Sequence, residues 1–141
     1  MDRADWQALA EERIIAAQAL LVAKQWSSAY YLAGYGLEFG LKSCILVRVA
    51  AYPGIIFEKK EFSKDCWTHS IKSLVDLAGL KGIQKAEIAT NPALGQNWSI
   101  VNQWNEESRY QWKTQFDAEA LYNAIVDIAN GVMPWIKSRW N

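Results

Sequence analysis

The sequence predicts an all-α fold, an antiparallel helical bundle of four main helices plus one or two short ones. Three observations predict it. No segment alternates apolar and polar residues over the length of a strand. Long stretches instead repeat apolar residues at intervals of three and four. Residues that start helices (Asp, Ser, Thr) or stop them (Gly, Pro) fall between those stretches. A chain of 141 residues, 51% hydrophobic and without repeats or low-complexity tracts, supports one domain over 1–141 with an ample core.

The first helix starts at Asp2 or Asp5 and runs to about residue 24, with Trp6, Ala10, Ile14, Ala17 and Leu21 on one face and Glu11, Glu12 and Gln18 away from it. After a tight connection the second begins at Trp26, with Ser27 or Ser28 as N-cap. It continues to about residue 50 and stops at Tyr52-Pro53-Gly54. So short a link makes the two antiparallel. Between residues 53 and 67 the helical pattern breaks: Ile55, Ile56 and Phe57 are followed by Glu58-Lys59-Lys60-Glu61, which reads as a mobile loop. Thr68 can cap the next helix, placing His69 in its first turn. Ile71, Leu74, Val75 and Ala78 then keep helical spacing until Gly79 supplies a left-handed C′ residue.

One more short helix fits residues 82–89, ended by Asn91-Pro92. Asn97 then opens a helix with Trp98, Val101, Trp104 and Ser108 on one face. The last helix takes Asp117 as N-cap and Glu119 in its first turn. Its seam is Leu121, Ile125, Ile128, Val132 and Trp135, with a kink near Asn130-Gly131 imposed by Pro134.

The second helix is apolar almost all round, so it must be enclosed on two sides. Tyr30, Ala33, Leu37, Leu41 and Cys44 fall within roughly 40° of one line and form a core stripe. Leu32, Phe39 and Leu46 lie opposite. Beside them Tyr31, Tyr35, Glu38 and Lys42 make a second stripe, with Glu38 four residues before Lys42. That order favours a helical ion pair, worth only about 0.3 kcal/mol when exposed. Two readings follow: a solvated pair that keeps a greasy helix soluble, or an acid and base lining a groove or subunit contact.

Fifteen basic and fifteen acidic side chains cancel, so the chain lacks the positive field that sequence-independent duplex binding needs. Local patches remain open at Lys81 with Lys85 or at Arg109 with Lys113. Cys44, Cys66 and His69 are too few soft ligands, and too scattered, for a structural zinc site, so neither metal nor cofactor is expected. The amphipathic start and the lack of an apolar stretch of about 20 residues predict a cytoplasmic protein with reduced thiols and no membrane partner. Glycine-rich phosphate loops, Cys-x-x-Cys, His-Glu-x-x-His and serine elbows are absent. The polar residues left in apolar surroundings are Glu38, Lys42, His69, Glu106, Arg109 and Tyr110.

Three stretches carry a resemblance. They are Ala-Tyr-Tyr-Leu-Ala-Gly-Tyr-Gly-Leu-Glu-Phe-Gly-Leu-Lys-Ser-Cys-Ile (29–45), Thr68-His69 leading to Leu-Ala-Gly-Leu (77–80), and Asn-Trp-x-Ile-Val-x-x-Trp-x-x-x-x-Arg-Tyr (97–110). Taken together, from about residue 6 to 135, the chain resembles the HEPN family. The resemblance implies a small helical bundle, typically homodimeric, in toxin-antitoxin, defence or RNA-processing settings. It also implies, in many members, metal-independent ribonuclease activity or a minimal nucleotidyltransferase as partner. The family's catalytic signature is an Arg followed four to six residues later by a His. Here Arg109 and Tyr110 stand where it would begin, but Gln-Trp-Lys-Thr-Gln-Phe-Asp follows without a His.

The usual nuclease site therefore does not carry over. Catalytic candidates reduce to His69 and Arg109, and the candidate ligand-binding or polar cluster to Tyr35, Glu38, Lys42, His69, Glu106, Arg109 and Tyr110. For His69 the plainer alternative is helix capping or a hydrogen bond to Glu38 or a carbonyl; for Arg109 it is an ion pair with Glu38 or Glu106. Trp67, Trp112 and Trp140 could stack on bases, whereas Trp98, Trp104 and Trp135 fit core faces. The leading expectation is a HEPN-domain protein that binds RNA or a nucleotide without the standard ribonuclease chemistry. The alternatives are a structural or partner-binding module acting with a minimal nucleotidyltransferase, and a ribonuclease using His69 and Arg109.

Overall fold

The computed structural model describes residues 1–141 and is helical throughout, without strands. Helix α1 (Arg3–Val22) starts from a capping box in which Asp2 accepts the Asp5 N–H and Asp5 accepts the Asp2 N–H. Lys24, at φ 59°, turns the chain into α2 (Trp26–Ala51), and the two form the expected antiparallel hairpin. Neither Ser27 nor Ser28 caps α2; Gln25 holds that position without a side-chain bond. The Ser27 hydroxyl accepts the Lys113 N–H at 2.8 Å instead, so a tertiary tie takes the oxygen a cap would use.

The stretch after α2 contains two single-turn helices, α3 (Ile55–Glu58) and α4 (Phe62–Asp65), where a mobile loop is the sequence expectation. Ile55 and Phe62 are buried and pin the segment to the core, an effect the surrounding charges hide. Helix α5 (Ile71–Leu77) is capped by Ser70, which accepts the Ser73 N–H; Thr68 serves one step earlier by accepting the Ser70 N–H. His69 thus lies just before the helix, not in its first turn. Gly79 takes φ +75° as expected, and Arg48 of α2 donates to the Leu77 carbonyl at the same helix end.

Helix α6 (Lys81–Thr90) runs into α7 (Pro92–Val101), where Asn91 accepts the Leu94 N–H and Pro92 occupies the first turn. Asn91-Pro92 therefore starts a helix as well as ending one. Asn97 lies inside α7, its amide donating to the Asn130 carbonyl. Trp104 and Ser108 are not on α7; a turn and a 3₁₀ helix (Glu106–Tyr110) capped by Asn105 carry them.

Helix α8 (Gln115–Val126) is capped by Thr114, with Asp117 closing the box from the third position rather than acting as cap. The last helix is divided, because residues 127–131 turn before α9 (Val132–Lys137). Asp127 accepts the Asn130 N–H there, and Ile128 points away from the seam at 94% exposure. Pro134 falls in the first turn of α9, where its missing N–H costs no helical bond.

Helix α2 passes through the middle, packed by α1, α5, α8, α9 and the 3₁₀ helix. Its stripe of Tyr30, Ala33, Leu37, Leu41 and Cys44 is wholly buried, as its spacing predicts. Trp98 meets Trp135 edge to face at 5.3 Å, and Trp104 is equally buried. Trp140 is also core, not a surface platform: Ser43 and Gln7 both donate to its carbonyl at 2.8 Å and draw the C-terminus inward. Close approach to α2 is possible because the Trp104 indole lies where a side chain on Gly34 would stand.

Burial pushes the Cys44 thiol up to about 12, so almost none of it is thiolate near neutral pH. Cys66 is only partly buried and its pKa is raised, chiefly by that burial. We expect one thiol, Cys66, to react with iodoacetamide at pH 8 in native protein, and both in denaturant. Peptide mapping that found Cys44 modified at a similar rate would contradict the packing.

Candidate functional site

The second stripe of α2 builds the site. Glu38 is 1% exposed, so its carboxylate needs partners. Lys42, one turn on, donates to Glu38 Oε1 at 2.8 Å. His69 Nδ1 lies 3.1 and 3.0 Å from the two Glu38 oxygens, and its Nε2 lies 3.2 Å from Glu106 Oε2. A chain of charges runs from Lys42 through Glu38 and His69 to Glu106. It ties α2, the α4–α5 connector and the 3₁₀ helix together.

The pair on α2 is therefore not the solvated one. His69 makes the hydrogen bond to Glu38 that its plainer reading anticipates, and its other nitrogen meets Glu106 while the side chain as a whole is 38% exposed. A neutral imidazole has one N–H and can donate to only one of the two carboxylates; a protonated ring donates to both. Because Glu38 and Glu106 face opposite ring nitrogens, the three groups do not converge on one point. No group of three or more His, Cys, Asp or Glu side chains is arranged to hold a metal.

Aromatic rings wall the chain of charges. Tyr35 meets His69 edge-on at 5.9 Å and Trp104 at 5.1 Å, and burial raises the pKa of its hydroxyl well above the ordinary value. On the other side the Lys42 ammonium lies 5.2 Å from the Trp6 ring centre, and Trp6 packs on Phe39 at 5.4 Å. Trp6 is a part of the site that sequence reasoning missed. Its position on α1 marks it as a core-facing residue, and nothing in the spacing says which residue of α2 it meets.

Arg109 stands apart. It forms no ion pair with Glu38 or Glu106 and no bond to His69. Its guanidinium lies 4.7 Å from the Tyr110 ring centre, and the Tyr31 hydroxyl first, then Tyr110, raises its already high pKa. Tyr31 in turn packs on Tyr35 at 4.9 Å, so aromatic rings alone connect Arg109 with His69. Both Arg109 and Tyr110 are exposed, as are Trp67 and Trp112.

Fold and site together define a small all-α bundle with a buried acid whose histidine partner opens to the surface. Its chemistry is that of an oriented imidazole: the Glu38 carboxylate behind Nδ1 fixes the ring, and Nε2 faces the half-exposed Glu106 carboxylate at 3.2 Å. Comparison with protein-family models, curated proteins and solved structures finds no match to this chain. No helix is long and apolar enough to cross a membrane.

Proposed function

We propose that the chain is a HEPN-like domain that binds RNA or a nucleotide along the exposed edge formed by His69, Glu106, Arg109 and Tyr110, without the standard ribonuclease chemistry. It would work as a cytoplasmic homodimer in defence, toxin-antitoxin or RNA metabolism. The observation that supports the reading is His69 itself, held at Nδ1 by the buried Glu38 carboxylate and paired at Nε2 with the half-exposed Glu106, with its own side chain 38% exposed. Arg109 adds an exposed guanidinium against an exposed tyrosine ring, a pairing suited to a phosphate beside a base.

The test is fluorescence anisotropy with a labelled single-stranded RNA at low salt. Wild type should bind, and Arg109→Ala should weaken binding about tenfold while leaving the unfolding midpoint unchanged. Absence of binding, or an Arg109→Ala variant that binds like wild type, would sink the proposal. RNA cleavage without metal, lost in both His69→Ala and Arg109→Ala, would instead support the ribonuclease alternative.

One observation favours a second reading. Both Glu38 oxygens lie within hydrogen-bond distance of a partner, and an unbroken line of contacts runs from Lys42 through Glu38 and His69 to Glu106. Such a network can serve as an internal clamp in a module whose activity lies in a partner, for which a minimal nucleotidyltransferase is the candidate. Under that reading Arg109→Ala changes neither stability nor RNA retention, and Glu38 substitutions affect folding alone.

A further inference from the structure

A groove of about 570 Å³ opens between the start of α1, the second half of α2 and α4, on the Lys42 side of the chain of charges. Its size falls within the range typical of small-molecule sites. Nine of its eleven lining residues are hydrophobic, among them Trp6, Leu46, Val49, Phe62 and Cys66. The two polar ones are Ser63 and Lys42, so its one charged side chain is a cation and no carboxylate lines it. Glu38, the acid nearest to Lys42, is 1% exposed and lies behind it.

Lys42 has donors to spare. An ammonium carries three N–H groups, and one is used on Glu38 at 2.8 Å. Glu38 would not be orphaned by sharing Lys42, because His69 Nδ1 lies 3.0 and 3.1 Å from its two oxygens and stays beside it. Lys42 is the one charged side chain of the lining, and the N–H groups it does not use on Glu38 can take one further carboxylate. Phe62 and Val49 supply a wall for hydrocarbon, and the Trp6 ring keeps the ammonium within the groove.

We propose that this groove binds a small amphipathic carboxylate, its hydrocarbon along Leu46, Val49 and Phe62 and its acid group on Lys42. The groove's lining includes none of the edge residues His69, Glu106, Arg109 or Tyr110. Because Lys42 is bonded to Glu38, the ligand's charge is felt by the residue that holds His69, which links the groove to that edge.

Cys66 lines the groove and reports on its occupancy through its rate of alkylation by iodoacetamide. Octanoate should slow that alkylation, and should bind about tenfold more tightly than octanol, which has the same chain without the charge. Lys42→Met should remove the preference. Since that variant also disturbs Glu38, Ser63→Glu is the companion: Ser63 is exposed, and a carboxylate there should weaken octanoate about tenfold and leave octanol unchanged. Equal protection by both compounds in wild type, no protection by either, or an indifferent Ser63→Glu would overturn the proposal. So would protection that rises with protein concentration in the absence of ligand, which would mean that a second copy covers the groove.

Discussion

Replacing Glu38 by alanine is expected to cost about 3–5 kcal/mol of folding stability, because it leaves Lys42 and His69 without the buried charge they share. Lys42 is only 13% exposed and loses its charged partner, and the His69 imidazole loses the group that orients it. The double replacement Glu38→Leu with Lys42→Met should recover most of that loss, since removing both charges also removes the cost of taking them out of water. Urea unfolding followed by far-UV circular dichroism measures all three proteins. A Glu38→Ala variant within about 1 kcal/mol of wild type would mean that the carboxylate is not the linchpin its burial implies.

His69→Ala should be milder than Glu38→Ala. Its side chain is 38% exposed, and Lys42 remains to balance the acid. The order of the two effects separates clamp from site. If RNA retention falls in His69→Ala while the unfolding midpoint hardly moves, the imidazole contributes at the surface; if stability and retention fall together, its contribution is structural.

Gly34→Ala should destabilise by about 3 kcal/mol, although alanine in a helix interior is intrinsically better than glycine by about 1 kcal/mol. The reversal has a steric cause. A Cβ on Gly34 would fall within the indole of Trp104, which is buried and packed edge-on against Tyr35. Trp104 cannot retreat without moving the 3₁₀ helix, and with it Glu106 away from His69. Adding Trp104→Phe should relieve part of the clash. Thermal unfolding would measure both effects; a neutral or stabilised Gly34→Ala would show that the indole has room to shift.

Much of the fold was legible because helical periodicity is local. The core stripe of α2, the hairpin with α1 and the left-handed Gly79 all follow from residues within a turn or two of one another. Helix ends were less legible, because several competent capping residues stood close together, and at Ser27 a long-range bond took the oxygen a cap would use. Ser27 was drawn to Lys113, Ser70 displaced Thr68, and Thr114 rather than Asp117 capped α8. The seam read across residues 121–135 failed at Ile128 because the spacing of apolar residues does not register a turn closed by Asp127 and tied to Asn97.

Within the site, the sequence by itself determined that Glu38 and Lys42 would pair, since both sit on one helix four residues apart. It also narrowed the partners of His69 to a short set that included Glu38. Only the tertiary structure decided that this pair is buried, that His69 bridges it to Glu106, that Trp6 covers Lys42, and that Arg109 stands outside the chain of charges. The physical reason is range. Periodicity and capping act over a few residues of one helix, whereas burial of a charge and the sharing of one imidazole by two carboxylates depend on segments more than thirty residues apart being packed together.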